Sequence, residues 1–571
     1  MSYFRQKTLG RYGQATQPSA KSYTFPASVG GINAVDSLMM MPPEDCLYTV
    51  NLMPSEYGLR LRKGYQEWAT GCVEDPPRAP SSNVNTIIPF ESNIQDVAND
   101  RLFAVTAEGI WNTTLLATTN PTQEVTFAQT ENPAGFGVWT EFTGDAAGDG
   151  LRGHYLFYAD GLNGIWQYEE ATDTWSQPPS GTASTDWHYM DTDDTTPIAF
   201  PVDNVAFVMV HKQRIWVILE DEDDAWYLPT ASVTGELKKF TFGSKMPHGG
   251  NLIGLYNWTV DGGNGVDDML VAVSRGGDVI VYQGEDPEIT PSGSAIGPWS
   301  TRGAWFIGET PESRRIATTY GPDLFILSTF GITSLNALLR GDTLGQGAPS
   351  KKVNRFLRSD VESGKNSYEW QLTTHPADGF LQIITPKPTA NPYLQYNMNL
   401  QTMAWGFWEG VPIFGADSWS GDYYMGGPDG KVYINNGTLD NQTLTEVGEP
   451  ISFRTLTSFQ APAGHSNFNR VGFIRTIGVL AGSASINVRA VYDYAIQTEV
   501  YPPASVPPAG DNLWDSAIWD TALWDFALEG KSFPQGALGM GRTFAVAING
   551  NSTTRISVVG WDCLYNTGGF L

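Results

Sequence analysis

The sequence predicts an all-β protein: a multi-bladed propeller of about seven blades, then a C-terminal antiparallel β-sandwich, with an extended N-terminal arm in front. Three observations predict it. Seven short apolar segments recur along the middle of the 571-residue chain, beginning at Leu102, Tyr155, Ile215, Met269, Leu324, Phe380 and Tyr423. The steps between them are 53, 60, 54, 55, 56 and 43 residues, near the period of repeats in which each unit is one small sheet. Most are followed by a turn and a second aromatic-rich strand, as in LFAVTAEGIW from Leu102 and IWVILEDEDDAWYL from Ile215. Beyond about residue 446 the pattern changes to alternating apolar and polar residues (ISFRTLTSF, RVGFIRTIGVL, ASINVRAVYDY, RTFAVAI, TTRISVVGW), the mark of half-buried antiparallel strands.

Residues 1–30, with Gly, Pro, Ser and scattered Lys and Arg, read as the extended arm: a free tail or a strap onto a neighbouring subunit. Residues 31–83 read as an attachment segment and linker. Within them Pro42, Pro43, Glu44 and Asp45 resemble a helix start, with proline early and acids in the first turn. Leu59, Arg60, Leu61 and Arg62 alternate as a strand that ends at Gly64, and residues 71–83 are a Pro-rich linker. Residues 84–445 hold the repeats. One such repeat cannot bury its own apolar face, so the repeats must stack radially into a closed body. Trp residues that punctuate the strand ends, among them Trp111, Trp139, Trp166, Trp216, Trp258 and Trp405, are expected as wedges between blades. Acidic or Gly-rich loops separate the strands at 144–150, 191–196, 220–224 and 261–268. Residues 446–571 form the sandwich, interrupted by a Pro-rich stretch and a Trp-Asp loop at 512–527.

With 41% hydrophobic and 17% charged residues, and 19 Trp, 24 Tyr and 27 Phe, the chain has the material for large packed cores and is not of disordered composition. Its 61 acidic against 34 basic side chains give a formal charge of −27, which disfavours a grip on DNA phosphates. No apolar run of about 18 residues is present, so no membrane-spanning segment is expected. The basic, polar N-terminus lacks the apolar stretch of a secretory signal. Cys46, Cys72 and Cys563, without a CxxC pair, read as free thiols of a protein made in a reducing cytoplasm.

Signatures of chemistry are missing: no phosphate-binding GxxxxGK[ST], no dinucleotide-binding GxGxxG, no HExxH and no GxSxG. Six histidines (His154, His188, His211, His248, His375, His465) are scattered singly and read as structural. The acidic loops at 191–196 and 220–224 offer carboxylate oxygens to calcium but lack the spacing of an EF-hand, and read as solvated loops. The Asp-box of the sialidase propellers is absent. The expectation is a protein that is not an enzyme, with no catalytic residues, no cofactor and no metal.

One motif stands out. Trp514-Asp515, Trp519-Asp520 and Trp524-Asp525 repeat at five-residue spacing, a period of neither helix nor strand. A WD-repeat reading fails, because that family places one such pair in each blade. Two readings remain: a loop packed flat on the sandwich, or an exposed plug in which Trp514, Trp519 and Trp524 are candidate subunit-interface residues.

Residues 30–70 carry a resemblance. Gly30-Gly31-Ile32-Asn33, Asp36, Met41-Pro42, Asn51, Pro54, Gly58, Arg62, Gly64 and Tyr65 are similar to the N-terminal pattern of tail nozzle (tail hub, tail tube) proteins of short-tailed double-stranded-DNA bacteriophages. Lys63 between Arg62 and Gly64, and Gly-Ile in place of Gly-Leu, depart from that pattern. The propeller and the Trp-Asp segment also resemble the family. The resemblance implies a structural virion protein, a hexameric ring below the portal and adaptor proteins. That ring extends the DNA channel, retains the packaged genome, passes it during ejection, and carries tail fibres or a needle. It implies a place in the virion tail after assembly in the host cytoplasm. Six copies would bring a formal charge of about −162 around the tube, so genomic DNA would slide without tight binding. The alternative is a carbohydrate-binding or carbohydrate-cleaving propeller of a tail accessory protein.

Overall fold

The computed structural model describes residues 20–568 apart from 80, 94–98, 147–149, 194, 262–265, 289–298, 342–347, 387–393, 444, 481–483 and 497–528. Seven small sheets follow one another and close into a ring. Blade 1 is Val84–Phe90, Arg101–Thr106, Gly109–Asn112 and Thr122–Thr126; blade 2 is Val138–Asp145, Arg152–Ala159, Ile165–Glu169 and Thr174–Ser176. Blade 3 is Val205–His211, Arg214–Leu219, Asp224–Tyr227 and Lys238–Thr241; blade 4 is Leu252–Asp261, Val266–Ser274, Asp278–Gln283 and Ser300–Phe306. Blade 5 has three strands, Ala317–Tyr320, Asp323–Ser328 and Gly331–Ser334. The helices Leu335–Leu339 and Asn354–Gly364 lie between it and blade 6 in the chain. Blade 6 is Gln371–His375, Phe380–Ile384, Gln395–Asn399 and Trp405–Trp408. Blade 7 is Gly415–Trp419, Asp422–Gly426 and Val432–Ile434, and its fourth strand, Gln66–Thr70, comes from the N-terminal region. The first strand of blade 7 packs on the first strand of blade 1, which shuts the ring.

The seven recurring apolar segments are the second strands of the seven blades. That position is covered on both faces by neighbouring blades, so it is apolar continuously rather than alternately. Phe103, Leu156, Val217, Val271, Ile326, Leu381 and Tyr423 are all fully or almost fully buried. The core is a set of clusters between blades. Phe103 and Val125 meet Leu156 and Tyr168 between blades 1 and 2, with Trp139, Trp166 and Trp175 against them. Trp216 of blade 3 stacks on Trp299, beside blade 4, at 6.1 Å. The Trp residues therefore fill inter-blade gaps, where a large flat ring buries most area.

The sandwich is built from both ends of the chain. One sheet runs in the order Leu52–Ser55, Gly58–Leu61, Ile556–Thr567, Asn469–Leu480, Glu529–Gly536, with Lys21–Pro26 paired antiparallel to Ile556–Thr567. The other places Asp45–Val50 beside Glu449–Thr457, then Phe544–Ser552 and Ala484–Tyr492. Asp45–Val50 also meets Trp405–Trp408 of blade 6, at Val50 and Phe407, so this sheet continues into the propeller. Phe25, Leu52, Leu59, Ile474, Val546 and Trp561 are buried between the two sheets.

Three expectations for the N-terminal region are corrected. Of the arm at 1–30, residues 1–19 lie outside the described residues, but Lys21–Pro26 is a strand of the sandwich and Phe25 is fully buried. No helix starts at Pro42–Asp45. A strand begins at Asp45, because Cys46–Val50 pairs with Arg454–Thr457 across the sheet and the Asp45 carboxylate is drawn to Asn33 and Lys352 instead of to a helix terminus. The sandwich is not confined to 446–571, since strands between residues 21 and 61 complete it. The 71–83 segment is fastened as well: the buried Glu108 accepts from the backbone N–H groups of Glu74 at 2.7 Å and Ala79 at 2.9 Å.

Candidate functional site

Two places concentrate buried polar groups: the joint between propeller and sandwich, and the propeller axis. The joint is built by the residues singled out at 30–65. Asn33 Oδ1 accepts from the N–H of Val35 and Asp36, and its Nδ2 donates to Asp45 at 2.6 Å; Lys352 donates to the other Asp45 oxygen at 2.7 Å. Asn51 sits at φ 59°, a left-handed conformation that asparagine tolerates. From there its Nδ2 donates to the carbonyls of Glu409 in the propeller and Ser452 in the sandwich. Arg62, its side chain fully buried, donates from Nε to Asn51 Oδ1 at 2.8 Å and from both Nη atoms to Asp440, a bidentate pair. Gly31, at φ +73°, lies so close to Trp405 that a Cβ would come within 2.6 Å of its backbone. Gly64 passes Leu439 so closely that a Cβ would stand 1.9 Å from the carbonyl oxygen. Tyr65 is buried edge-on against Tyr433 of blade 7.

The axis holds a cavity of about 490 Å³ to which all seven blades contribute, through residues such as Thr86, Trp139, Val208, Tyr256, Thr318, Gln371 and Asp417. Asp417 accepts from the N–H of Ser418 at 2.8 Å and from Trp139 Nε1 at 3.3 Å, and burial pushes its carboxyl up to about 6. Just before the first strand of blade 5, Arg314 and Arg315 diverge. Arg314 pairs with Glu220 of the acidic 220–224 loop at 2.6 Å, so that loop is not merely solvated. Burial raises the Glu220 carboxyl, and Arg314 opposes the rise. Arg315 reaches across the axis: Nη1 donates to the Asn85 carbonyl of blade 1 at 2.6 Å, to Thr86 Oγ1 at 3.3 Å and to Gln371 Oε1 of blade 6 at 3.2 Å.

Beside this cavity the fold assembles a group that the sequence did not suggest. His375 Nδ1 meets Ser418 Oγ at 2.8 Å, and its Nε2 faces Asp378 at 3.4 Å; Lys63 holds the same Asp378 oxygen at 2.7 Å. Hydrogen bonds from His375 and Lys63 hold the Asp378 carboxyl down to about 2. The residue types match an acyl-transfer triad, but the Ser418 N–H is committed to Asp417 and His375 is buried at 1% exposure. The arrangement is a joint between the inner strands of blades 6 and 7. No periodic signal announces it, since its members are 43 residues apart along the chain from His375 to Ser418.

Among the described residues no three His, Cys, Asp or Glu side chains gather to hold a metal ion. Cys46, Cys72 and Cys563 are buried free thiols. Also among the described residues, no helix is long and apolar enough to cross a membrane. Trp514, Trp519 and Trp524, and with them the Trp-Asp loop, lie outside the described residues.

No family model matches the chain, and no curated protein matches it. Among solved structures it is similar to the extracellular domain of a hybrid two component system from B. thetaiotaomicron, at 10% identity and a TM-score of 0.37. That likeness covers 78% of this chain and 56% of the other. It is similar also to YCF48 bound to D1 peptide, at 10% identity and a TM-score of 0.33, covering 71% of this chain and 99% of that one. At these scores the likeness carries no argument; the strand pairings and the closed ring make the chain an all-β propeller joined to a β-sandwich.

Proposed function

We propose that this chain is a structural virion protein, a tail nozzle or hub of a short-tailed double-stranded-DNA phage. In this reading it is hexameric, set below the portal and adaptor, retaining the packaged genome and passing it at ejection. One observation carries the reading. The residues that resemble the nozzle signature gather where propeller meets sandwich: Asn51 bonds carbonyls of both, Arg62 holds Asn51 and the Glu409 carbonyl, and Asn33 orients the Asp45 carboxylate that takes Lys352. A pattern spent on a rigid joint suits a part that must transmit load without hinging. Arg315 crosses the propeller axis, so in this reading the DNA path runs between copies and not through a propeller. The formal charge of −27 per copy suits a wall along which a polyanion slides. Portal, adaptor, fibres or needle, and the Trp514, Trp519 and Trp524 contact between subunits, belong to the same proposal.

Electron cryo-microscopy of the source particle tests it. A six-fold ring of propellers about an axial channel at the tail is the expected result; a particle whose tail lacks this chain would end the nozzle reading. The second reading, a carbohydrate-binding or carbohydrate-cleaving propeller, draws on the axial cavity, where Trp139 and Asp417 pair an aromatic ring with a carboxylate. A glycan array with a depolymerase assay separates the two, because a conduit is inert in both.

A further inference from the structure

At the joint, one carboxylate spans two nitrogens. Asp45 Oδ1 accepts from Lys352 Nζ at 2.7 Å, and its Oδ2 accepts from Asn33 Nδ2 at 2.6 Å. An ion pair uses only the first of these contacts. The second sets an amine nucleophile and a carboxamide side by side on the same acid–base group. The backbones bring them together too, because the Ala34 N–H donates to the Lys352 carbonyl at 2.8 Å. The Asn33 side-chain carbonyl is polarised as well: its Oδ1 accepts from the N–H groups of Val35 and Asp36, both at 3.1 Å. Two backbone donors on one carbonyl oxygen are the equipment of an oxyanion hole. Each nitrogen has a second anchor, the Asp36 carboxylate for Asn33 Nδ2 at 2.9 Å and the Gly30 carbonyl for Lys352 Nζ at 3.0 Å. Asn33 is 3% exposed and Asp45 1%. Ile32, Cys46 and Val353, chain neighbours of the three residues, are fully buried in one apolar cluster, which keeps water from competing for the carbonyl carbon. The Lys352 side chain lies at the rim, partly exposed, and leaves a small product a way out.

We propose that Lys352 and Asn33 are joined by an isopeptide bond that the folded chain makes on itself, with Asp45 as the proton carrier. Asp45 takes a proton from the Lys352 ammonium and frees the amine. The Nζ lone pair adds to Asn33 Cγ, and the carbonyl electrons move onto Oδ1, where the Val35 and Asp36 N–H groups meet the developing charge. Asp45 passes its proton to Nδ2 and takes a second one from Nζ. The carbonyl re-forms, the Cγ–Nδ2 bond breaks, and the nitrogen leaves as ammonia, which carries the last proton away from Asp45. An ammonium and a carboxamide thus become a secondary amide and an ammonium ion, with no oxidant, reductant or cofactor. The reaction happens once per molecule. The bond ties the segment ahead of Asp45–Val50 to the segment that leads into the helix Asn354–Gly364. It does not rest on the nozzle reading; either stands if the other falls.

The test is mass spectrometry of the full chain, purified folded and then denatured. The intact mass should fall short of the sequence mass by one ammonia, about 17 Da. Proteolysis should release a branched peptide that carries both Asn33 and Lys352. Absence of that peptide overturns the inference whatever the intact mass, because a deficit without it marks a succinimide or a cyclised terminus. A branch from Lys352 to Asp45, with loss of water in place of ammonia, overturns it as well. Lys352→Arg keeps a cation opposite Asp45 but offers no neutral amine, so the folded variant should show the full sequence mass. Asp45→Asn removes the proton carrier and should slow bond formation about a hundredfold or more, read as the branched fraction against time after refolding. A deficit that persists in Lys352→Arg, or a branch that forms as fast in folded Asp45→Asn, sinks the proposal. The branched peptide of the unaltered chain decides where a variant does not fold.

Discussion

Arg62 shows how much of the architecture rests on one side chain. It is buried, bidentate to Asp440 and bonded to Asn51, which in turn holds carbonyls of both propeller and sandwich. Arg62→Met should destabilise the chain by about 3–5 kcal/mol in urea unfolding, since it strands Asp440 and Asn51 without replacing their donor. Two carboxylates beside the axis should respond to pH in opposite senses. Asp378 is held down to about 2 by His375 and Lys63, so its folded pKa lies below its unfolded one, near 4. The stability it contributes is present above pH about 4 and is lost as pH falls toward 2. Asp378→Asn should therefore lower Tm at pH 6 and leave it little changed near pH 2. Asp417 is raised to about 6 by burial, so folding favours its protonated form. Its contribution is full below pH about 4 and fades between about 4 and 6. Asp417→Asn should raise stability at pH 7 by on the order of 1–3 kcal/mol and do nothing at pH 3.5, a crossing that a Tm-against-pH series would read directly.

Among the elements, the strand Lys21–Pro26 makes the sharpest case. It pairs along its whole length with Pro26 opposite Gly560 and Lys21 opposite Tyr565, and it inserts Phe25 between the sheets, where that ring meets Phe544 edge-on at 5.4 Å. Phe25→Ala should cost about 3–5 kcal/mol, and deletion through residue 30 should lower Tm and shift the fluorescence of buried Trp561, which a dispensable strap would not do. Which elements were legible follows from their surroundings. The second strand of each blade is buried on both faces, so a run such as LFAVT from Leu102 or LVAVS from Leu270 announces itself by composition alone. The sandwich strands of 446–571 have one wet face and show it as alternation. The alternation at Leu59–Arg62 did announce the strand Gly58–Leu61, but the closing strand Gln66–Thr70 and the sandwich strands Lys21–Pro26 and Asp45–Val50 were not legible, because their meaning lies in partners hundreds of residues away: Ala69 opposite Val432, Phe25 opposite Trp561. Pro42–Asp45 misled for the same reason, a local helix-start pattern overruled by sheet pairing at Cys46 and Thr457. Of the axial site, only the lone histidines were noticed in the sequence, and nothing in it foretold that Arg315 would reach Asn85, 230 residues away.

For the whole molecule, the crossing of chain segments predicts its cooperativity. Both ends of the chain enter the sandwich, and the strand that closes the propeller lies between those N-terminal sandwich strands and blade 1 in sequence. One sheet continues from blade 6 through Asp45–Val50 into the sandwich. Neither body can therefore be cut free with its own strands complete. A propeller released from residues 84–445 would lack Gln66–Thr70 and expose the edge of Val432–Ile434, opening blade 7 where the ring shuts. Calorimetry should accordingly record one transition for propeller and sandwich together, with calorimetric and van't Hoff enthalpies in agreement, where two independent domains would give two. The 84–445 fragment expressed alone should unfold at a much lower Tm than the full chain, and adding residues 64–83 back to its N-terminus should recover part of the loss by restoring the closing strand. Two separate calorimetric peaks, or a fragment as stable as the whole, would mean that the joint at Asn51, Arg62 and Gly64 is a contact and not a weld, and would remove the ground on which a rigid, load-bearing part has been proposed.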